Sequence, residues 1–384
     1  MTNRKICVIT GSRAEYGLFY PILIKIKEST ILDLQLITTS SHHSIELGLT
    51  YKEIEDDGFF IDEKIDNLIL QDSNSSVVKS TAKATALLSD SFEKLKPDVV
   101  LLLGDRYETH AAATAAMLMN IPIAHIHGGE ITEGAVDEQI RHSITKMSYL
   151  HFCSTEVYKQ RVIQMGESPH RVFNSGAPGV DNIINLQLLT KHELEAELDW
   201  EFSSECALFT YHPVTLEKTD IESDLDFIFN ILSTFNFNIL FTYANADLGG
   251  RIINKNIEKF CIKNPKQYKV IKNLGQVKYL SAIKYVDLLI GNSSSGIIEA
   301  ASFKKPVVNI GNRQKGRLKG INVIDCYIDS LKKSINLALS TSFINKINNI
   351  KNLYGDGNAA DFIVEKLKTE PLSAIKKFRD QIKE

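Results

Sequence analysis

Two patterns of apolar and polar residues recur along this chain, one typical of buried strands and the other of amphipathic helices. Short continuous runs of Val, Ile and Leu, such as Val99–Leu103, have the length of a strand that is buried on both faces. Stretches with apolar residues three or four positions apart, which are typical of amphipathic helices, follow several of these runs. A repeated order of strand and helix predicts a parallel sheet with helices on both faces.

The first half of the chain carries one such series. Its predicted strands are Lys5–Thr10, Leu32–Thr38, Val99–Gly104, Ile123–His127, His151–Ser154 and Val172–Asn174. Its predicted helices are Tyr16–Lys27, Ser80–Leu95, Thr109–Met119, Asp137–Met147 and Val157–Met165. We therefore expect residues 1–180 to form one doubly wound domain.

A turn at Gly176–Gly179 and a charged helix over Lys191–Leu198 interrupt the pattern, and then a second series begins. Its predicted strands are Ala207–Tyr211, Asn238–Tyr243, Tyr268–Ile271, Val286–Ile290, Val307–Ile310 and a short one near Val323–Ile324. Its predicted helices are Ile221–Ser233, Arg251–Ile262, Val277–Ile283 and Gly296–Ala301. Residues 181–360 then form a second α/β domain that faces the first across a cleft. Two helices, Ala359–Lys368 and Ala374–Lys383, are predicted for the tail, which we assign as 361–384.

Length and composition agree with this reading. A chain of 384 residues, at about 150 per domain, suggests two domains, and 43% apolar with 24% charged residues excludes a disordered or fibrous protein. The net charge of −3 excludes a strongly basic surface for nucleic acid, although a local cationic pocket stays open. No apolar run approaches the ~20 residues of a membrane span, and no leader pattern opens the chain. Five scattered cysteines without a CxxC motif predict neither disulfides nor structural zinc, as in the reducing cytoplasm, where we expect this protein.

Candidate chemistry in the first domain follows the predicted strands, where parallel sheets bind ligands. Arg13 opens the helix after the first strand and could bind an anion, or this segment could be an ordinary βα turn. Asp105 follows the third strand and would project into the cleft, or it could cap the next helix.

Histidines and acids concentrate after the next strand, in His125-Ile126-His127-Gly128-Gly129-Glu130 and at Asp137. His125 and His127 would share one strand face, which could suggest a metal, but further ligands at a suitable spacing are absent. We favour acid–base chemistry by His127, Glu130 and Asp137, and a core role for His125.

The second domain carries groups suited to a diphosphate. His212 precedes a proline at the first strand end and either faces the cleft or lies buried in a loop. Gly291–Gly296 combines small residues, hydroxyls and a helix start, and Glu299 is expected on that helix's first turn, within reach of ribose hydroxyls. Arg313 and Arg317 add positive charge near the same strand ends. A serine-rich cap and a basic surface loop are the alternatives. Together these groups suggest a nucleotide sugar, with the nucleotide on the second domain and the sugar on the first.

The ordered set of motifs resembles a known family. It comprises Gly11–Gly17, Gly104-Asp105-Arg106, His125–Glu130, Ile140–Lys146, His212-Pro213, Gly291–Gly296 and Gly355–Asn358. This set is similar to that of hydrolysing UDP-N-acetylglucosamine 2-epimerases of bacterial sialic-acid biosynthesis, over nearly the whole chain. The resemblance implies a glycosyltransferase-B-like fold of two Rossmann-like domains, with C-terminal helices crossing back to the first.

The resemblance also implies a reaction: UDP-N-acetylglucosamine and water give N-acetylmannosamine and UDP, without metal or other cofactor. The implied catalytic residues are Asp105, His127, Glu130, Asp137 and His212. The implied substrate-binding residues are Arg13, Arg106, Asn292, Ser294, Ser295, Gly296, Glu299, Arg313 and Arg317. We expect a homo-oligomer, a dimer or a tetramer, that binds a UDP-sugar and neither nucleic acid nor membrane.

The chain departs from the family pattern in two places. Many relatives have Glu at the position of His127, so either His127 or Glu130 would have to take that role. Thr39–Ser44 stands where non-hydrolysing relatives carry a Gln-His-Arg-Glu segment, which favours the hydrolysing branch. A UDP- or GDP-linked 2,4-diacetamido-2,4,6-trideoxy sugar is an alternative substrate, as in legionaminic acid synthesis. A glycosyltransferase on the same fold and a non-enzymatic sugar-nucleotide-binding protein are further alternatives.

Overall fold

The computed structural model of the chain describes residues 3–69, 73–133, 135–202, 205–214, 220–244 and 249–380, and within them it has two parallel sheets of seven and six strands. The residues fall into two compact units. Unit 1 comprises Met1–Glu130, Asp137–Asn182 and Tyr354–Glu384, and unit 2 comprises Ile131–Val136 and Ile183–Leu353. The predicted fold class of two doubly wound α/β domains is confirmed.

The sheet of unit 1 has the order β3-β2-β1-β4-β5-β6-β7. The strands are β1 (Arg4–Thr10), β2 (Leu32–Thr39), β3 (Glu63–Ile65), β4 (Val99–Leu103), β5 (Ile123–Ile126), β6 (Leu150–Cys153) and β7 (Val172–Asn174). The order reverses between β1 and β4, and the crevice beyond such a reversal is the usual ligand site of this fold.

Helices cover both faces of this sheet. They are α1 (Arg13–Lys27), α2 (Tyr51–Asp56), α3 (Asn74–Leu95), α4 (Tyr107–Leu118), α5 (Asp137–Met147), α6 (Glu156–Gln164), α7 (Pro178–Asn185, which continues into unit 2) and, late in the chain, α15 (Ala359–Thr369). Successive β1 side chains point to opposite faces. Ile6 and Val8 join the core under α1 and α15, whereas Cys7 and Ile9 join the core under α3, α4 and α5.

The chain's last helix belongs to unit 1. Ile363 and Leu367 of α15 lie in the same core cluster as Phe19 of α1. The buried carboxylate of Asp181 accepts the backbone N–H groups of Ala359 and Ala360, at 3.0 and 2.6 Å. These two amides at the start of α15 have no partner within the helix, so Asp181 supplies what the helix lacks.

The second predicted tail helix, Ala374–Lys383, is wrong over residues 374–380, which are not helical, while 381–383 lie outside the described residues. Tertiary contacts fix this segment in place of the hydrogen bonds of a helix. Lys376 donates to the Ser148 carbonyl at 2.7 Å, and the Arg379 amide donates to the Gly166 carbonyl at 3.0 Å. Phe378 packs so closely on Gly166 that a Cβ there would overlap its ring.

Unit 2 repeats the same topology with the order β10-β9-β8-β11-β12-β13. Its strands are β8 (Cys206–Thr210), β9 (Asn238–Thr242), β10 (Tyr268–Ile271), β11 (Leu288–Gly291), β12 (Val307–Ile310) and β13 (Val323–Cys326). Its helices are α8 (Lys191–Leu198), α9 (Ile221–Leu232), α10 (Gly250–Ile262), α11 (Gly275–Tyr285), α12 (Ser294–Ile298), α13 (Leu331–Ala338) and α14 (Thr341–Ile347). The reversal lies between β8 and β11. Within the described ranges, every helix is too short or too polar to traverse a bilayer.

A buried glutamate ties the C-terminal segment to the sheet of unit 1. Glu167 accepts from the amines of Lys146 at 2.5 Å and Lys376 at 2.8 Å, and it lies 3.3 Å from His151 Nε2. Burial alone would raise the pKa of this carboxyl. The bonds from His151, Lys146 and Lys376 outweigh burial and lower the pKa to about 2.

Replacing Glu167 with Gln should lower the free energy of unfolding at pH 7 by about 2 kcal/mol, because two ammonium groups lose their shared counterion. The folded pKa lies below the ordinary value of 4.5, so this stabilisation is complete above that pH and disappears as the pH falls towards 2. Urea unfolding between pH 3 and 7 measures both effects. Glu156→Gln, which breaks an exposed pair with Lys159, is the control and should change stability little.

Candidate functional site

A buried arginine organises the acidic groups at the carboxyl ends of the strands in unit 1. Arg141 of α5 is only 1% exposed, and its guanidinium is paired with the Asp105 carboxylate. Asp105 follows β4 through Gly104, whose φ of +80° gives the turn that a side chain would strain. Arg106, and not Asp105, occupies the N-cap position of α4, so the alternative of Asp105 as a helix cap is wrong.

Asp137 is the first residue of α5 and lies four positions before Arg141. Residues four apart share one face of a helix. The half-buried Asp137 is therefore on the side of α5 that pairs with Asp105. The neighbouring Glu138 accepts from His142 Nε2 at 2.9 Å.

A second acid–base group follows β5. His127 Nδ1 lies 2.5 Å from Glu130 Oε1, and that oxygen also accepts from the Ser154 hydroxyl at 2.7 Å. His127 is 6% exposed and Glu130 1% exposed. A neutral imidazole with its Nδ1–H on a carboxylate carries its lone pair on Nε2. In the described part of the chain, buried Nε2 of His127 has no hydrogen-bond partner.

His125 and His127 have separate roles. The prediction that β5 includes His127 is wrong: the strand ends at Ile126, and His127 has a left-handed φ of +67°. The two imidazoles therefore do not share a strand face. His125 is fully buried with Nε2 2.8 Å from the Gly104 carbonyl, which confirms its core role. Across the described residues, no group of three or more His, Cys, Asp and Glu side chains is placed to hold a metal ion.

Two arginines stand at the topological reversal of unit 1. Arg13 is the first residue of α1, after β1, and Arg106 caps α4, after β4. Both are half-buried. Arg106 Nε donates to Glu108 Oε1 at 2.7 Å, and this bond fixes the orientation of the Arg106 guanidinium.

In unit 2, one asparagine bridges the reversal between β8 and β11. Asn292 Oδ1 accepts the backbone N–H of His212 at 2.7 Å, and Asn292 Nδ2 donates to the His212 carbonyl at 2.8 Å. Both residues are buried. The sequence predicts Asn292 as a substrate contact, but its amide is engaged with the backbone of His212 and so holds that histidine in place.

The loop after β11 needs glycine. Gly291 has a φ of +134°, and a Cβ there would overlap the Thr210 carbonyl. Helix α12 then spans only Ser294–Ile298, with Ser293 Oγ accepting the Ser295 amide at 3.3 Å. The helix starts two residues before the predicted Gly296–Ala301, so Ser294, Ser295 and Gly296 form its first turn. Glu299 does not: it is the C-cap, because α12 ends one residue before it.

An arginine of the segment after β12 contacts this loop. Arg313 Nη1 and Gln314 Nε2 both donate to the Asn292 carbonyl, at 3.1 and 2.9 Å. Arg317 is half-buried farther along the same segment. The structure thus brings Arg313 to the loop of Asn292.

Tyr279 of α11 is a neighbour of this loop that the sequence patterns do not indicate. It lines one pocket together with Thr210, Ser293 and Gly296. Burial, together with the nearby Glu299 carboxylate, raises the pKa of Tyr279 to about 12, so it is a neutral donor. The spacing of apolar residues does not identify Tyr279 as a site residue, because tyrosines on buried helix faces are common in protein cores.

The predicted site residues thus fall into two sets. Unit 1 holds Arg13, Asp105, Arg106, His127, Glu130 and Asp137, and unit 2 holds His212, Asn292, Ser294, Ser295, Gly296, Glu299, Arg313 and Arg317. Sequence patterns alone miss the orienting partners Arg141 and Ser154. The four-residue spacing of Asp137 and Arg141 on one predicted helix is the sequence signal that could have indicated Arg141.

Comparisons with known proteins agree with these motifs. Residues 24–368 match the family model described as UDP-N-acetylglucosamine 2-epimerase. The chain is 45% identical over 344 residues to a GDP/UDP-N,N'-diacetylbacillosamine 2-epimerase (hydrolyzing) of Campylobacter jejuni, covering 89% of each chain. It is 39% identical to a polysialic acid biosynthesis protein of Escherichia coli, covering 98% of this chain and 97% of that one.

A third relative is a UDP-N,N'-diacetylbacillosamine 2-epimerase (hydrolyzing) of Legionella pneumophila, 38% identical over 96% of this chain and 97% of that one. Among solved structures, the UDP-GlcNAc 2-epimerase of Neisseria meningitidis bound to UDP-GlcNAc superposes with a TM-score of 0.80 at 22% identity. That match covers 94% of this chain and 99% of the other. It shows that the two proteins share a fold.

Gly291→Ala should destabilise the protein by about 3 kcal/mol or more, because the added Cβ meets the Thr210 carbonyl and the loop must move. Gly311→Ala is a matched control. Gly311 also has a positive φ, of +74°, but its Cβ would meet no atom within 4 Å, so only about 1 kcal/mol of backbone strain is expected. Equal losses for both variants in urea unfolding would contradict the close approach.

Proposed function

This chain belongs to the UDP-N-acetylglucosamine 2-epimerase family, and on that premise we propose that it is a hydrolysing epimerase of a nucleotide sugar. It converts a nucleoside-diphosphate-linked 2-acetamido sugar and water to the free sugar, inverted at carbon 2, and the nucleoside diphosphate. The observation that carries this proposal is the pair of acid–base groups in unit 1. One is Asp105 with Arg141, and the other is His127 with Glu130.

The reaction needs a base, because the bond between carbon 2 and its hydrogen must break. That proton becomes removable as the bond from carbon 1 to the bridging oxygen breaks and the ring gains positive charge. The electrons of the C–H bond form a double bond between carbons 1 and 2, and the nucleotide leaves with the bridging oxygen. A positioned base contributes typically about 10²–10⁴-fold to such a step.

The second half of the reaction needs an acid. Water adds to carbon 1 of the 2-acetamidoglucal, and a proton is delivered to carbon 2 from the face opposite to the first removal. One group cannot serve both faces. Unit 1 contains two kinds of group, a carboxylate held by a buried guanidinium and an imidazole held by a buried carboxylate. Groups in different environments can have different protonation states, so one can act as the base and the other as the acid.

The leaving group is a diphosphate, which needs charge stabilisation more than protonation. Unit 2 supplies this: the first turn of α12, with Ser294, Ser295 and Gly296, offers N–H and O–H donors, and Arg313 adds a positive charge. We assign His212, whose backbone is fixed by Asn292, as a contact of the diphosphate or of the reacting sugar. Glu299 at the C-cap of α12 and Arg317 are the further candidates for nucleotide contacts.

Two sugars are candidates for the substrate. The motif pattern favours UDP-N-acetylglucosamine, which would give N-acetylmannosamine as the first step of sialic-acid synthesis, and the similarity to a polysialic acid biosynthesis protein supports it. The similarity to two diacetylbacillosamine 2-epimerases, at 45% and 38% identity, favours a UDP- or GDP-linked 2,4-diacetamido-2,4,6-trideoxy sugar. We rank the diacetamido sugar first, because the identity of 45% is the highest of these three.

Incubation with a panel of nucleotide sugars decides between them. UDP-N-acetylglucosamine and the UDP- and GDP-linked diacetamido sugars are incubated separately, without an acceptor, and the free sugar and released nucleotide are quantified. The highest kcat/KM identifies the substrate. Release of free, epimerised sugar excludes a protein that only binds the nucleotide sugar. It also argues against a glycosyltransferase, because no acceptor is present. Absence of free sugar from all three would contradict the proposal.

Asp105→Asn and Asp137→Asn should each lower kcat by at least about 10²-fold, because each removes an ionisable group from the reaction. Both variants should still bind UDP with nearly unchanged affinity, as measured by calorimetry. Asp105→Asn should in addition lower the melting temperature, since the buried Arg141 loses a charged partner. Asp90→Asn, on the exposed side of α3, is the control. A kcat equal to that of the wild type would remove the residue from the mechanism.

A further inference from the structure

Two glutamates at the ligand edge of unit 1 have no part in the mechanism above. Glu15 lies in the first turn of α1 and Glu108 in the first turn of α4, and they are 6% and 1% exposed. Their helices follow β1 and β4, which are hydrogen-bonded neighbours at the topological reversal. Buried carboxylates are rare unless something requires them.

Both side chains hold the backbone turn that leads to Arg13. Glu15 Oε2 accepts the N–H of Gly11 at 2.6 Å. The stem of Glu108 packs against the same residue, because a Cβ on Gly11 would overlap the Glu108 side chain. Glu15 Oε1 also lies 3.4 Å from the hydroxyl of Thr109, next to Glu108 in α4. The two glutamates therefore link the turn after β1 to the helix after β4.

Glu108 also orients Arg106. Its Nε donates to Glu108 Oε1 at 2.7 Å, and its side chain is 14% exposed. Glu108 thus fixes one edge of the guanidinium from within the protein. Glu108 orients Arg106 directly, and both glutamates fix the backbone turn from which Arg13 extends.

The charges around the pair favour one proton on it. Both buried carboxylates contact Gly11 and so lie close together, and two like charges buried side by side favour the retention of one proton. Burial, followed by the charge of Glu108, raises the pKa of Glu15 to about 7. His42, which approaches the adjoining turn through Thr10 Oγ1 at 3.0 Å, is neutral in this range, because burial lowers its pKa to about 3. Arg13 is the remaining charged side chain of the turn.

Resting on the proposed function, we propose that Glu15 and Glu108 are positioning residues that hold Arg13 and Arg106 for the anionic substrate, and that Glu15 is the neutral member of the pair in the active enzyme. Ionisation of Glu15 adds a second negative charge beside Arg106. The guanidinium is then neutralised by the protein instead of by the diphosphate, and repulsion between the carboxylates loosens the turn of Gly11. Substrate binding therefore weakens as Glu15 loses its proton.

The test compares the wild type with Glu15→Gln, which keeps the size of the side chain but cannot ionise. For the wild type, KM for the nucleotide sugar should rise about tenfold between pH 6 and 8.5, the order of one charge-assisted hydrogen bond. Glu15→Gln should keep a low KM that changes less than about twofold. The diphosphate diester of the substrate does not titrate in this range, so ligand ionisation cannot produce the difference. Glu28→Gln, exposed at the end of α1, should behave like the wild type.

Infrared difference spectroscopy gives a readout that does not depend on turnover. Wild type minus Glu15→Gln should show the carbonyl band of a protonated carboxylic acid that disappears as the pH rises through neutrality. Absence of this band would overturn the proposal, as would parallel KM profiles of wild type and Glu15→Gln. If no sugar nucleotide is turned over, the proposed function fails, and the dissociation constant of UDP-N-acetylglucosamine replaces KM in the same comparison. A pH-independent dissociation constant in the wild type would then overturn the positioning role.

Discussion

The burial of Arg141 is the constraint on which the acidic side of the site depends. A guanidinium that is 1% exposed is stable only beside a negative charge, and Asp105 provides it. The pair joins α5 to the end of β4 and so determines where the first turn of α5, and with it Asp137, lies on the sheet edge. Asp105, after a strand, and Asp137, on the first turn of a helix, are thereby both held in unit 1. The arrangement gives the acids different environments, which is how a protein assigns different protonation roles to the same chemical group.

Hydrogen bonds to buried partners also fix two histidines. Glu130, whose carboxylate also accepts from Ser154, holds the His127 imidazole, and both ends of the Asn292 amide hold the backbone of His212. Each histidine lies just beyond a parallel strand, where the backbone leaves the sheet and its own hydrogen-bonding groups need partners. Buried polar networks of this kind rigidify a site when all their members are satisfied. Glu15 and Glu108 extend the pattern to the turns that carry Arg13 and Arg106.

Much of the fold could be predicted from the sequence, because buried parallel strands are continuous apolar runs. The strands Val172–Asn174, Tyr268–Ile271 and Val307–Ile310 and the helix Asp137–Met147 match the structure at both ends. Short elements without such a run were missed, among them β3, with only three residues, and α13 and α14. The tail after Thr369 is held by Glu167, a contact of long sequence separation that no local pattern contains. The site was predicted through motifs at strand ends, but Arg141, Ser154, Glu15 and Glu108 act through burial, which a sequence does not display.

The most direct test of the central claim, that unit 1 removes and returns a proton at carbon 2 while the bond from carbon 1 to oxygen breaks, is isotopic. The reaction is run on the substrate identified from the panel, in deuterated water and separately in ¹⁸O-labelled water. The account predicts deuterium at carbon 2 of an epimerised sugar, and a nucleoside diphosphate that contains no ¹⁸O. Recovery of the unepimerised sugar with its original hydrogen at carbon 2 as the first product, or ¹⁸O in the nucleotide, would contradict it.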